Sequence, residues 1–196
     1  YLKLALFILL VFGGGTAIGL YTLPGEWYAG LAKPWFNPPN WIFGPVWSVL
    51  YVMIAIAGWR LWENHRMSEA MAVWWIALSA NFLWSPAFFG LQSPGAALVV
   101  ILILLALIVT FMVLAREKDR TAAWLFVPYA AWVSFATLLN ASIWWLNGQE
   151  VIGIYGDRQT VIDDGISKRL TLKKGPNVVR CAVFNGGGAS IVRYSK

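Results

Sequence analysis

From Gly95 to Ala115 the chain reads GAALVVILILLALIVTFMVLA, without a charged residue or a proline. As a helix, a run of that length crosses a hydrocarbon core about 30 Å thick. A helix apolar on every side belongs in a membrane or in the depth of a large core. Four more stretches of similar length surround it, and the pattern predicts helices over about 2–22, 41–62, 69–90, 95–115 and 122–146. These four carry Gly, Pro, Asn and Ser, which membrane helices keep where they face other helices. The first stretch is long for a signal peptide, contains Gly13-Gly14-Gly15 and lacks a convincing cleavage site. The expected fold is therefore an all-α membrane protein, a five-transmembrane-helix bundle over residues 1–147 with short connections.

Charge confirms the boundary. The chain is 59% hydrophobic and 12% charged, about half the charged share of a soluble domain. Residues 1–147 hold seven Lys/Arg, five Asp/Glu and all 13 tryptophans, whereas residues 148–196 hold eight Lys/Arg and four Asp/Glu. The second region has β character: KRLTLKK and VVRCAVF read as strands, KKGPN and NGGGA as turns. It is expected to be a β-rich extramembrane tail. Its few strands leave open edges, and open edges recruit other chains. Residues 150–196 are thus expected to dock another membrane or periplasmic protein. No nucleic-acid partner is expected.

The connection between the first two predicted helices is unlike the others. It enters EWYAGLAKPWFNPPNWIFGPVWSVLY, residues 26–51. Pro38-Pro39 cannot lie inside a helix. Indole and phenol rings favour the membrane–water interface, where the ring is buried and the polar tip stays wet. Two readings stand open: an aromatic belt that anchors the protein, or a stiff lid, built on Trp35, Pro38 and Pro39, over one end of the bundle.

Helical spacing then groups a set of side chains. Trp47 and Tyr51 share a face of the second helix; Asn81, Trp84 and Phe88 share one of the third; Tyr129, Trp132, Ala136 and Asn140 share one of the fifth. An intramembrane Asn is costly unless hydrogen-bonded, so Asn81 and Asn140 should point inward. Apolar walls, aromatic rings and a few polar groups suit a small-molecule pocket. Each ring taken singly also suits ordinary helix packing. Gly15 and Gly19 have GxxxG spacing, which permits close helix approach within the bundle or at a dimer seam. Pro45, Pro86 and Pro128 are expected to kink their helices.

The loop-one sequence, together with NFLWSPAFFG (81–90) and PYAAWVSFATLLN (128–140), resembles the tryptophan-rich sensory protein/translocator protein family, also called the peripheral-type benzodiazepine receptors. The resemblance covers about residues 5–147, with the blocks in the family's order. It implies a five-helix bundle, often a homodimer, with a pocket beneath the first loop. It also implies porphyrin ligands such as protoporphyrin IX, in some members sterols or drug-like molecules, and a role in tetrapyrrole sensing, transport or stress response. The implied ligand-binding residues are Trp47, Asn81 and Trp132, with Trp84, Tyr28 and Tyr51 beside them. Sterol-binding members carry a Leu/Val…Tyr…Lys/Arg pattern at the end of the fifth helix. The matching run here, LLNASIWWLN, has Ala141 and Trp145 at the aromatic and basic positions, so porphyrin is preferred over sterol. The tail stretch LTLKKGPNVVRCAVFNGGG weakly resembles a hairpin of a galactose-binding-like jelly roll.

No catalytic constellation accompanies these features. His65 is the sole histidine and Cys181 the sole cysteine, so neither a metal site nor an internal disulfide is expected. No cofactor is required. Light-dependent porphyrin breakdown occurs in some family members, but it needs only a bound photosensitiser and is not taken as an enzyme assignment. Basic residues set the expected orientation: Lys3, Arg60, Arg66, Arg116, Lys118 and Arg120 share one side, against Lys33 on the other. Loops two and four should face the cytoplasm of a bacterial cell, with loop one and the tail periplasmic. Two functions remain: a tetrapyrrole receptor or carrier, and a structural accessory subunit of a larger membrane complex that docks through its tail.

Overall fold

The structure, a computed structural model, describes residues 1–147, 178–185 and 188–195. It divides into two compact units, Tyr1–Ile152 and Gly153–Lys196, described separately here. In the first, all regular secondary structure among the described residues is helical. Among the described residues, five helices are long and apolar enough to cross a membrane: α1 (Leu2–Tyr21), α3 (Asn40–His65), α4 (Glu69–Gly90), α5 (Pro94–Lys118) and α6 (Arg120–Leu146). A one-turn helix, α2 (Glu26–Gly30), lies in the first connection.

Five of the ten ends extend beyond the apolar runs, because capping residues as well as hydropathy decide where a helix begins and stops. Ser68 accepts from the Met71 amide at the start of α4, and Ser93 from the Ala96 amide at the start of α5. Asp119 accepts from the Ala122 amide (3.0 Å) and starts α6, an N-cap that satisfies an otherwise orphaned donor. Gln92 turns the chain between α4 and α5 in the left-handed region, φ 52°.

Two of the three prolines expected to kink their helices coincide with interruptions of regular α-helix. Pro86 opens a π-helical turn, Pro86–Gly90, in which the Leu91 amide reaches back five residues to the Pro86 carbonyl (2.9 Å). Just before Pro128, α6 breaks at Phe126. Pro45 is accommodated within α3. A second π turn, Leu9–Gly13, widens α1. Wider turns shift the register of the side chains that follow.

The half of the bundle nearest loops two and four is solid. Leu61, Ile108, Phe111, Ala115 and Ala122 are wholly buried there, and the Phe111 and Phe126 rings lie 3.9 Å apart. At Gly58 the Trp74 indole presses directly on the backbone of α3, where a methyl group would overlap it. The indole donates to the Ile54 carbonyl (3.1 Å). Arg60 clasps Asp119 through two nitrogens, at 2.8 and 3.2 Å. Lys3 pairs with Glu63 at 3.0 Å.

In the second unit, β1 (Val178–Asn185) and β2 (Gly188–Ser195) pair antiparallel from Val178↔Ser195 to Asn185↔Gly188. The expected VVRCAVF strand is contained in β1. The expected KRLTLKK strand and KKGPN turn, and the centre of the NGGGA turn, lie outside the described residues.

Candidate ligand cavity

Toward loop one the bundle is hollow. Side chains of the bundle enclose there a cavity of about 260 Å³. Trp47, Tyr51, Asn81, Trp84, Trp132 and Tyr28 all line it. The face spacings thus converge on one space, with α3, α4 and α6 as its walls. Among the described residues, no charged side chain reaches it.

Its polar groups are mostly paired with each other. Asn81 Nδ2 donates to the Tyr129 hydroxyl (2.8 Å). Tyr129 is fully buried behind the wall rather than on the cavity surface. Trp84 Nε1 donates to Asn140 Oδ1 (3.1 Å), and Asn140 Nδ2 to the Pro94 carbonyl (2.8 Å). Both intramembrane amides are therefore hydrogen-bonded within the bundle. Trp132 is different: its buried Nε1 has no hydrogen-bond partner. The Trp132 ring is held edge-on against Phe43, with centroids 5.8 Å apart, while Trp47 rests at 5.2 Å from Tyr51.

The floor is set by Gly15. The Tyr51 ring lies against its backbone so closely that a methyl group there would overlap it. Gly19, one turn on, has nothing within 4 Å of such a methyl position. Of the GxxxG pair, Gly15 supports close approach inside the bundle, and Gly19 faces open space.

The roof is α2 and the chain after it. Tyr28 is buried edge-on against Phe88 (6.1 Å) and Phe89 (5.4 Å), which the π turn of α4 presents. Desolvation pushes the Tyr28 hydroxyl above its ordinary pKa. Lys33 Nζ donates to the Tyr28 carbonyl (2.7 Å) and sits 4.4 Å from the centre of the Tyr28 ring, capping α2 with a cation. Asn147 then fastens this segment to the end of α6. It accepts from the Ala32 amide and donates to the Ala32 carbonyl, each at 2.8 Å. Trp35, Pro38 and Pro39 do not line the cavity. Trp35 is 96% exposed on the outer surface, and Pro39 serves as the N-cap of α3.

Among the described residues, no group of three His, Cys, Asp or Glu side chains gathers where a metal ion could bind. Residues 7–146 match the TspO/MBR family. The chain belongs to that family. It is 43% identical to the tryptophan-rich protein TspO of Archaeoglobus fulgidus, over 74% of this chain and 97% of the relative. Identity to Protein CrtK of Rhodobacter capsulatus is 37%, over 68% of this chain and 86% of the relative. Identity to the human Translocator protein is 33%, over 66% and 82%. The protein is accordingly an integral membrane protein, and its tail lies beyond the span matched by the family.

Within this TspO/MBR bundle, face spacing located the wall residues but not the closures. Phe43, Thr22 and Ser85 also line the cavity. Phe43 lies four residues before Trp47, one turn along the same face, and was within reach of the same spacing argument. Thr22 and Asn147 sit at helix ends, where periodicity stops and offers no signal.

Proposed function

We propose that this TspO/MBR family member is a membrane receptor or carrier that takes a tetrapyrrole of the protoporphyrin type into the cavity beneath loop one. One observation carries the proposal: an enclosed apolar cavity lined by Trp47, Tyr51, Trp84 and Trp132, with Asn81 and Asn140 as polar groups in its lining. Such a lining suits a flat, largely apolar ligand with a few polar groups. Trp47 and Trp84 offer indole faces for a flat π-system. The cavity, at about 260 Å³, lies just under the usual ligand-pocket range of about 300–1,000 Å³. A macrocycle therefore needs loop one to yield or leaves one edge projecting. The accessory-subunit reading predicts collapsed aromatics at this position, and a standing cavity favours the receptor.

For orientation, the clustering of basic residues near loops two and four supports their lying in the cytoplasm, with loop one outside. The test of binding is a titration of the protein in detergent with protoporphyrin IX, read by tryptophan quenching. Quenching should saturate. Trp132→Ala or Asn81→Ala should weaken affinity by about 1–3 kcal/mol. Saturable quenching with affinity unchanged in both variants would remove the ligand from this cavity.

A further inference from the structure

The seams around the cavity are not closed alike. Between α1 and α4, Thr22 Oγ1 donates to the Ile18 carbonyl (2.8 Å) and so accepts from Ser85 Oγ (2.6 Å). On the same seam the Phe82 ring lies against the backbone of Gly14. Between α3 and α6, Phe43 meets Trp132 and Trp47 meets Tyr129 edge-on at 6.3 Å. Between α4 and α6, the Asn81–Tyr129 and Trp84–Asn140 hydrogen bonds hold the wall. Overhead, Asn147 ties loop one to α6.

Among the described residues, no hydrogen bond or ring pair closes the upper half of the seam between α1 and α3. The two helices pack along Leu2–Gly13, and Tyr51 rests on Gly15. Above that point the packing of Gly14–Tyr21 goes mainly to α4. Gly19 lies in this interval. It is exposed, it lines the cavity, and a methyl group on it would meet nothing within 4 Å. Asn40, exposed, and Phe43 line the cavity from the α3 side. Outward-facing neighbours are apolar: Leu20 and Tyr21 on α1, Trp41 and Val49 on α3, all exposed. On spanning helices such residues meet lipid and its interface, not bulk water.

We propose that the gap between Gly19 of α1 and Asn40–Phe43 of α3 is a lateral portal, through which an amphiphilic, bilayer-dissolved ligand passes edge-first into the cavity. The proposal rests on the receptor reading and adds the route and the phase from which the ligand comes. The glycine supplies the aperture because it has no side chain to fill it. Passage leaves the Asn147–Ala32 clasp intact, and Gly15 with Tyr51 forms the sill.

The test uses the full chain in proteoliposomes, mixed with vesicles preloaded with protoporphyrin IX, with tryptophan quenching followed in time. Gly19→Phe should slow both association and dissociation by roughly tenfold or more, because a blocked route obstructs entry and exit alike. Gly19→Ala should behave as wild type. To guard against misfolding of the Phe variant, Gly19→Cys in a Cys181→Ser background is alkylated with a bulky maleimide after folding, and the same slowing is expected. Saturable binding with unchanged rates in both blocked forms would overturn the portal and leave the receptor reading standing. Absence of saturable quenching in the wild type would overturn both.

Discussion

Asn147 and Ala32, 115 residues apart in sequence, exchange two hydrogen bonds of 2.8 Å. The side-chain amide of Asn147 pairs with the Ala32 backbone as one strand residue pairs with another. A third bond, from Asn147 Nδ2 to the Ile143 carbonyl (2.8 Å), fixes the amide on its own helix. Loop one is thereby fastened at one point to the end of α6. Asn147→Ala removes this clasp, at a cost of about 1–2 kcal/mol for exposed pairs. The expected outcome is faster chymotryptic cleavage near Trp35-Phe36, with helix content by circular dichroism unchanged. Cleavage at the wild-type rate would mean that the loop is held by its aromatic contacts alone.

A methyl group at Gly15 overlaps the Tyr51 ring, whereas one at Gly19 meets open space. Gly15→Ala should destabilise the protein by about 1–3 kcal/mol through overpacking. Gly19→Ala should be neutral or slightly stabilising, since alanine is the better helix former. Thermal denaturation of the two variants in one detergent makes the comparison. Equal midpoints would show that Tyr51 moves aside without cost.

Asp119 joins two roles, N-cap of α6 and partner of Arg60. Partial burial acts to raise its carboxyl, but the Arg60 and Ala122 hydrogen bonds and the Arg60 charge hold it below the ordinary value. A depressed carboxyl contributes stability that is complete above its unfolded value of about 3.9 and lost as pH falls through the lower folded value. Stability should therefore decline on acidification below about pH 4, more steeply in wild type than in Asp119→Asn. Asp119→Ala should cost about 1–2 kcal/mol at neutral pH. Parallel pH profiles for wild type and Asp119→Asn would rule out this contribution.

Cys181 is the chain's one cysteine and lies on β1, in register with Val192. Five crossings with loops two and four in the cytoplasm would put residues after 147 outside. A membrane-impermeant maleimide should then label Cys181 in spheroplasts with intact inner membranes, directly or once a bound partner is stripped away. Labelling only after inner-membrane lysis would reverse the orientation.

The five crossings were legible because a membrane-spanning helix must be long and apolar, and those are properties of sequence alone. The cavity walls were legible because Trp47, Tyr51, Asn81, Trp84 and Trp132 recur at helical spacing on three faces. The contacts that close or open the cavity were not. Nothing in the spacing of Asn147 and Ala32 announces their pairing. Gly15 and Gly19 look equivalent in GTAIG and differ only in what the neighbouring helix places opposite them. Gly58 has no motif, yet the Trp74 indole lies on it. For loop one the sequence left an aromatic belt and a lid built on Trp35, Pro38 and Pro39 both open. The roof itself is Tyr28, and the rings most conspicuous in the sequence face outward.

The solid half of the bundle has a consequence for traffic. Below Tyr51 the space between helices is filled by Trp74, Phe111, Phe126 and their neighbours, all essentially without exposure. The helical bundle is a cup, not a tube. Interiors packed to crystal-like density do not part to let a macrocycle through. On the receptor reading, a guest would leave through the same gap between α1 and α3 by which it entered, without crossing to the far side of the bilayer.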